Sequence, residues 1–338
     1  MNKILIVGPA WVGDMVMAQS LFKLLKERRP GVIIHVAAPA WTLPLLTRMP
    51  EVSAVTALPF VHGRLDLRAR YAIGKKLASE QFSQAIVLPN SFKSALIPWF
   101  ANIPVRTGWS RELRSLIMND SRSLDKKRYP LMVPRFLALG LAPEEAVPAV
   151  YAYPELKSEF KTQAAALQRL GLQTPPTPVL ALCPGAEFGP SKRWPEEAFA
   201  EVARAKLAAG WQVWLFGSAK DQAVTERIMA LTNQACLDLA GKTSLDEAID
   251  LLALTTAVVS NDSGLMHVAA ALQKPVIAIY GSTSPGFTPP LAEKVAILKL
   301  SLACQPCFKR ECPLQHHRCM RDLAPASVLN SLEELVAA

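Results

Sequence analysis

Residues 3–14 read Lys3-Ile4-Leu5-Ile6-Val7-Gly8-Pro9-Ala10-Trp11-Val12-Gly13-Asp14. A short aliphatic and β-branched run enters a glycine turn. The apolar residues Met15, Ala18, Phe22 and Leu25 then recur at helical spacing, up to a basic end before Pro30. The pattern predicts strand, turn and helix. Residues 32–37 follow as a second buried strand. Further on, the pattern predicts a helix over 67–80, a strand over 84–88 and a helix from Ser91 toward Ala101. Strands alternating with helices through short connections imply a parallel sheet covered on both faces.

The rhythm breaks between Gly140 and Pro178, where Pro143, Pro148, Pro154 and the run Gln173-Thr174-Pro175-Pro176-Thr177-Pro178 crowd together. One helix, over 157–170, lies between the proline clusters. A second alternating unit follows, with strands over 179–183, 211–216, 257–260 and 275–280. Its helices are predicted over 196–207, 221–231, 244–254 and 263–272. A final helix spans 325–336. The expected plan is an N-terminal Rossmann-like domain (1–155), a crossing (156–178), a second Rossmann-like domain (179–322) and a closing segment (323–338). Two Rossmann-like domains without a G-x-G-x-x-G fingerprint point to a nucleotide-sugar enzyme more than to a dehydrogenase.

The chain has 338 residues, 51% of them hydrophobic and only 19% charged, which fits two filled cores and not a disordered chain. No apolar run approaches the roughly 20 residues a spanning helix needs. The N-terminus reads as a core strand, not a signal peptide. The net charge of +9 is one-sided: residues 1–150 hold 20 Lys+Arg against 10 Asp+Glu, and residues 151–338 hold 17 against 18. An anionic ligand or surface on the N-terminal half would explain this, and so would a solvated basic face.

Four segments can carry chemistry. Asp14 ends the first turn, where ligands of open α/β sheets gather, so it can serve as a base or as a helix N-cap. Residues 183–195, Cys183-Pro184-Gly185-Ala186-Glu187-Phe188-Gly189-Pro190-Ser191-Lys192-Arg193-Trp194-Pro195, leave a strand through glycines. There Lys192 can reach a diphosphate or sit in solvent. Ser260-Asn261-Asp262-Ser263-Gly264-Leu265-Met266-His267 also runs from strand to helix. Asp262 and Ser263 stand at the cap, Gly264 clears the approach to the positive helix end, and His267 lies one turn on. The fourth segment holds Cys304, Cys307, Cys312 and Cys319, spaced C-x2-C-x4-C-x6-C around His316 and His317. Four thiolates with no open position would make a structural zinc or iron site; reduced free thiols are the alternative. Cys183 and Cys236 read as core residues, and nothing suggests a disulfide framework.

Several long strings carry a resemblance: Gly8-Pro9-Ala10-Trp11-Val12-Gly13-Asp14-Met15, Leu88-Pro89-Asn90-Ser91-Phe92-Lys93-Ser94-Ala95, the run 183–190, Lys192-Arg193-Trp194-Pro195, and Asn261 through Leu272. Together they resemble the ADP-heptose:lipopolysaccharide heptosyltransferase II group of glycosyltransferase family 9, along nearly the whole chain. The resemblance implies the α/β GT-B architecture, with two Rossmann-like domains whose parallel sheets face an interdomain cleft and a last helix packed back on the first domain. It implies Asp14 as the catalytic carboxylate. It implies donor contacts from Gly13, Glu187, Lys192, Gly217, Thr243, Asp262, Ser263, Gly264 and His267. The family's acidic contact after the Gly217 turn is not clearly matched, since Ala219-Lys220-Asp221 stand there. Some members lack the cysteines, so the chemistry needs no metal from them.

The implied reaction is an inverting transfer of L-glycero-D-manno-heptose from ADP-heptose to the first heptose of the lipopolysaccharide inner core. Fixed cations would replace a metal at the departing ADP. The anionic lipid A-core acceptor would be met at the inner-membrane surface by a cytoplasmic, peripheral enzyme, with Arg106, Arg111, Arg114, Asn90 and Lys93 as candidate contacts. Three other readings compete: transfer to Kdo by a type I enzyme, a sugar-nucleotide epimerase of the same fold, and a nucleotide- or RNA-binding module. The last lacks the aromatic and basic sequence of an RNA reader, so no nucleic-acid partner is expected.

Overall fold

The computed structural model describes residues 2–60 and 64–337. Two compact units, Met1–Pro154 and Glu155–Ala338, divide the chain. In the first unit the elements are β1 (Lys3–Val7), α1 (Val12–Arg28), β2 (Ile33–Pro39), α2 (Leu43–Leu46), β3 (Val52–Leu58), α3 (Leu67–Ala78), β4 (Gln84–Val87), α4 (Phe92–Phe100), β5 (Val105–Trp109), β6 (Asp120–Arg122) and α5 (Met132–Gly140). The second unit has α6 (Phe160–Arg169), β7 (Val179–Cys183), α7 (Glu196–Ala208), β8 (Gln212–Leu215), α8 (Gln222–Leu231), β9 (Leu237–Asp238), α9 (Leu245–Ala253), β10 (Ala257–Asn261), α10 (Gly264–Ala271), β11 (Val276–Tyr280), β12 (Val295–Lys299), α11 (Arg318–Arg321) and α12 (Pro325–Ala337). Among the described residues, no helix is long and apolar enough to cross a membrane.

The sheets run β3-β2-β1-β4-β5-β6 and β12-β11-β10-β7-β8-β9, every pairing parallel. Numbered within its own unit, the second sheet repeats the order of the first. The order reverses beside β1 and β4 in one unit and beside β7 and β10 in the other, and ligands of open parallel sheets bind at such points. All four strands were legible because they are apolar without alternation: β7 (VLALC) and β10 (AVVSN) are buried at every position. The strands that the pattern did not predict include the edges β3 and β12, where burial is broken by exposed residues.

The segment expected as a crossing, 156–178, is docked on the second unit. Leu156 N donates to Ala271 O at 2.9 Å, Ser158 Oγ to Asp250 Oδ1 at 2.6 Å, and Arg169 on α6 grips Glu247 on α9. The last helix, expected on the first domain, buries Val328 and Leu332 in the second unit's own core beside Trp194 and Phe199.

Candidate functional site

In the second unit the loop after β7 is anchored by a buried serine. Ser191 Oγ lies 2.9 Å from Ser282 Oγ and donates to Lys309 O at 2.5 Å, while Ser191 N donates to Arg310 O at 3.2 Å. This holds the turn Pro190–Lys192 so that the Lys192 ammonium reaches Asp262, at 2.6 Å from Oδ2 and 3.3 Å from the main-chain oxygen. Thr283, just past β11, donates to the same Oδ2 at 2.5 Å. The pair is shielded, with side-chain exposures of 14% for Lys192 and 5% for Asp262. The ammonium also lies over the Phe188 ring, which Arg310 approaches too.

Helix α10 begins at this pair. Its N-cap, Ser263, has extended backbone and makes no side-chain capping bond. The Ser263 hydroxyl lies 3.2 Å from Ser260 Oγ instead. The first-turn N–H groups, with Gly264 leading, are thus left without a side-chain cap at the positive end of the helix dipole. His267 is buried one turn in. Burial pushes its pKa down to about 4, with Asp262 pulling upward and Lys192 downward. At neutral pH it is therefore an uncharged ring. The unfolded chain binds a proton near the ordinary value and the native state does not, so stability falls as pH drops from about 6.5 toward 4 and levels off below. Urea melts across that range should show the fall, and His267→Gln should flatten it.

Asn261, fully buried, ties the two loops together: Nδ2 donates to Pro184 O at 2.7 Å, and Oδ1 accepts from Trp194 N at 3.1 Å. Asn261→Ala would strand both main-chain groups and should cost about 2–4 kcal/mol in urea melts.

Of the other predicted donor contacts, Glu187 pairs with Lys220 at 2.6 Å on an exposed surface. Gly217 lies two residues past the end of β8, and Thr243 precedes Ser244, the N-cap of α9. Asp221, which left the acidic contact unmatched in the sequence, closes a capping box, its Oδ2 accepting from Ser218 N at 2.9 Å and Oγ at 2.8 Å. Gly185 is required beside it, because a Cβ there would lie 2.5 Å from the Asp221 carboxyl carbon. Thr283 was not singled out as a site residue. Its position past a buried strand end, like that of the other loops, is the signal that could have found it.

The cysteine loop braces this region. Gln305 Nε2 donates to Gly281 O at 2.9 Å and Phe308 N to Ser282 O at 2.7 Å. Cys304, Cys307, Cys312 and Cys319 are free thiols lining one small cavity with Ser191 and Ser282. Among the described residues, no group of three or more His, Cys, Asp or Glu side chains is placed to hold a metal ion. Cys319 is instead drawn into the apolar core of the second unit.

In the first unit, Asp14 is not the N-cap of α1. Trp11 is, and Asp14 stands three residues further, half-buried in the first turn. A Cβ at Gly8 would come within 2.6 Å of the Met15 methyl and 3.2 Å of the Ala38 Cβ, so a larger residue there would require Met15 to shift. Among the predicted acceptor contacts, Asn90 and Arg111 are exposed, and Lys93 Nζ donates to Arg64 O at 3.4 Å. Two arginines do not join them. Arg106 lies at the amino-terminal end of β5 and donates to Ile117 O at 2.7 Å and Ile103 O at 2.5 Å. Arg114 is fully buried, donating to Trp109 O at 2.6 Å and to Pro89 O, with burial pushing its pKa down to about 10. Both guanidiniums fasten main chain, with Arg106 part-buried and Arg114 Nη2 without a hydrogen-bond partner among the described residues.

The decisive comparison covers most of both units: residues 70–318 match the model of glycosyltransferase family 9 (heptosyltransferase). The chain belongs to glycosyltransferase family 9. It is 45% identical to the lipopolysaccharide heptosyltransferase 2 of Salmonella typhimurium, covering 99% of each chain. It is 46% identical to the lipooligosaccharide heptosyltransferase 2 of Haemophilus influenzae, again over 99% of each. The solved ADP-heptose lipopolysaccharide heptosyltransferase II of Escherichia coli superposes with a TM-score of 0.89 at 42% identity, covering 99% of this chain and 98% of that one. The fold expected of the family, two parallel α/β units of the GT-B type, is the fold observed. This is a glycosyltransferase, and the epimerase and RNA-binding readings are set aside.

Proposed function

We propose that this heptosyltransferase moves L-glycero-D-manno-heptose from ADP-heptose to the first heptose of the lipopolysaccharide inner core, with inversion. The observation that carries the donor half is the shielded Lys192–Asp262–Thr283 cluster at the uncapped start of α10. A diphosphate seated there would meet an ammonium, a hydroxyl and helix N–H groups. Asp14 is the base. It takes the proton of the acceptor hydroxyl as that oxygen attacks the anomeric carbon. The bond from that carbon to the diphosphate oxygen breaks on the opposite side, and ADP leaves with its charge neutralised by Lys192 and the α10 terminus. These donors are already ordered, so little reorganisation is left for the transition state.

The acceptor is lipid-linked, and docking on the cytoplasmic face of the inner membrane follows from charge and surface. The excess positive charge lies in residues 1–150, and Leu113 and Leu116 are 77% and 81% exposed beside Arg111. The test is incubation with ADP-heptose and defined acceptors ending in Kdo or in one heptose, with the mass of the product read out. Added mass on the heptose-ended acceptor alone supports the reading. Added mass on the Kdo-ended acceptor alone replaces it with the first transfer of the pathway.

A further inference from the structure

We propose that Trp11 and Trp41 form an aromatic platform that takes one face of an acceptor pyranose ring and sets its hydroxyl beside Asp14. The proposal rests on the reading of the Asp14 turn as the acceptor side. Trp11 occupies the N-cap of α1 with φ −84° and ψ 135° and makes no capping bond. Small polar residues are preferred at such a position because their oxygen accepts a helix N–H, and an indole has no acceptor to offer. Trp11 is nonetheless 48% exposed. Neither helix capping nor burial accounts for a tryptophan here.

Trp41 approaches from the next strand. It lies in the turn Ala40–Thr42 that leaves β2, and β2 pairs with β1. Its Nε1 donates to Ala10 O at 2.9 Å, one residue before Trp11, and the ring is 52% exposed. The hydrogen bond satisfies the one polar atom of the indole and fixes its direction, which leaves apolar ring surface open to solvent at the carboxyl end of the sheet. Asp14 lies one helical turn from Trp11 on the same helix. Two exposed aromatic surfaces, one fixed by its hydrogen bond, beside a carboxylate suit a ligand with an apolar C–H face and a rim of hydroxyls, which is a pyranose. A stacked adenine would be the other candidate, but the cationic diphosphate cluster belongs to the second unit.

The experiment uses the full chain and a deacylated, soluble core acceptor. Trp11→Ala, Trp41→Ala, the double variant and Trp11→Phe are compared with wild type after thermal melts establish folding. Acceptor KM and kcat, ADP affinity by calorimetry, and acceptor binding by tryptophan fluorescence quenching are measured on each. Acceptor KM should rise roughly tenfold for each lost ring, with Trp11→Phe staying within about threefold of wild type. ADP affinity should not change. Unchanged KM and quenching in the alanine variants overturns the platform, and so does a matching loss of ADP affinity. Should an alanine variant fail to fold, protection of the wild-type indoles from iodide quenching by acceptor decides the point. Failure of the transfer reading itself would show separately, as wild-type protein that binds acceptor without modifying it.

Discussion

Asp14→Asn is expected to lower turnover by about 10²–10⁴-fold, the usual worth of a positioned general base, with ADP affinity unchanged. The amide keeps the size of the side chain and removes its basicity. Asp14 is not the N-cap of α1, so the substitution does not delete a cap. It does replace an anion in the first helical turn, where the dipole favours negative charge, and a stability loss of about 0.3–1 kcal/mol should accompany it. Initial rates at saturating acceptor, calorimetry with ADP and a urea melt separate these three effects. Turnover within tenfold of wild type would remove Asp14 from the chemistry.

Lys192→Met should weaken ADP binding by two orders of magnitude or more and also destabilise the fold by about 3–5 kcal/mol, because a buried carboxylate loses its partner. The ammonium is 2.6 Å from Asp262 Oδ2, and the carboxylate is 5% exposed. Once the lysine is gone, Thr283 is left donating to that oxygen. Stability and ligand binding can be told apart with the double variant Lys192→Met/Asp262→Asn, which leaves no unpaired charge at this pair. It should recover most of the lost stability in urea melts and none of the ADP affinity in calorimetry. Recovery of both would mean that Lys192 serves the fold and not the donor.

Both substitutions touch residues the sequence singled out, but the reasons for them come from different levels. Asp14 and Lys192 stood out because each follows a buried strand through a glycine turn, a local pattern. That Lys192 closes on Asp262, 70 residues away, is a tertiary fact. The pairing exists because β7 and β10 are neighbours and their carboxyl ends lie side by side. Arg106 and Arg114 show the reverse. Composition marked them as cations available for phosphate, and the fold uses both as clamps on main-chain oxygens. A guanidinium looks the same in a sequence whether it faces solvent or a carbonyl. The cysteine spacing is a further case: it says how far apart the thiols are along the chain, and only the fold brings all four to one cavity.

The sequence by itself determined the class of fold, the two-unit plan, the turns at strand ends and the family. These follow from apolar period, glycine and proline placement and long matching strings, all of which are properties of neighbours along the chain. Only the tertiary structure decided that both sheets share one strand order, that Ser191 and Asn261 hold the donor loops, that Trp11 displaces Asp14 from the cap, and which arginines are buried. The contacts of Ser191 and Asn261 join strand ends that meet after more than 60 intervening residues, and the arginines and the cap are settled by packing, so no local period carries that information.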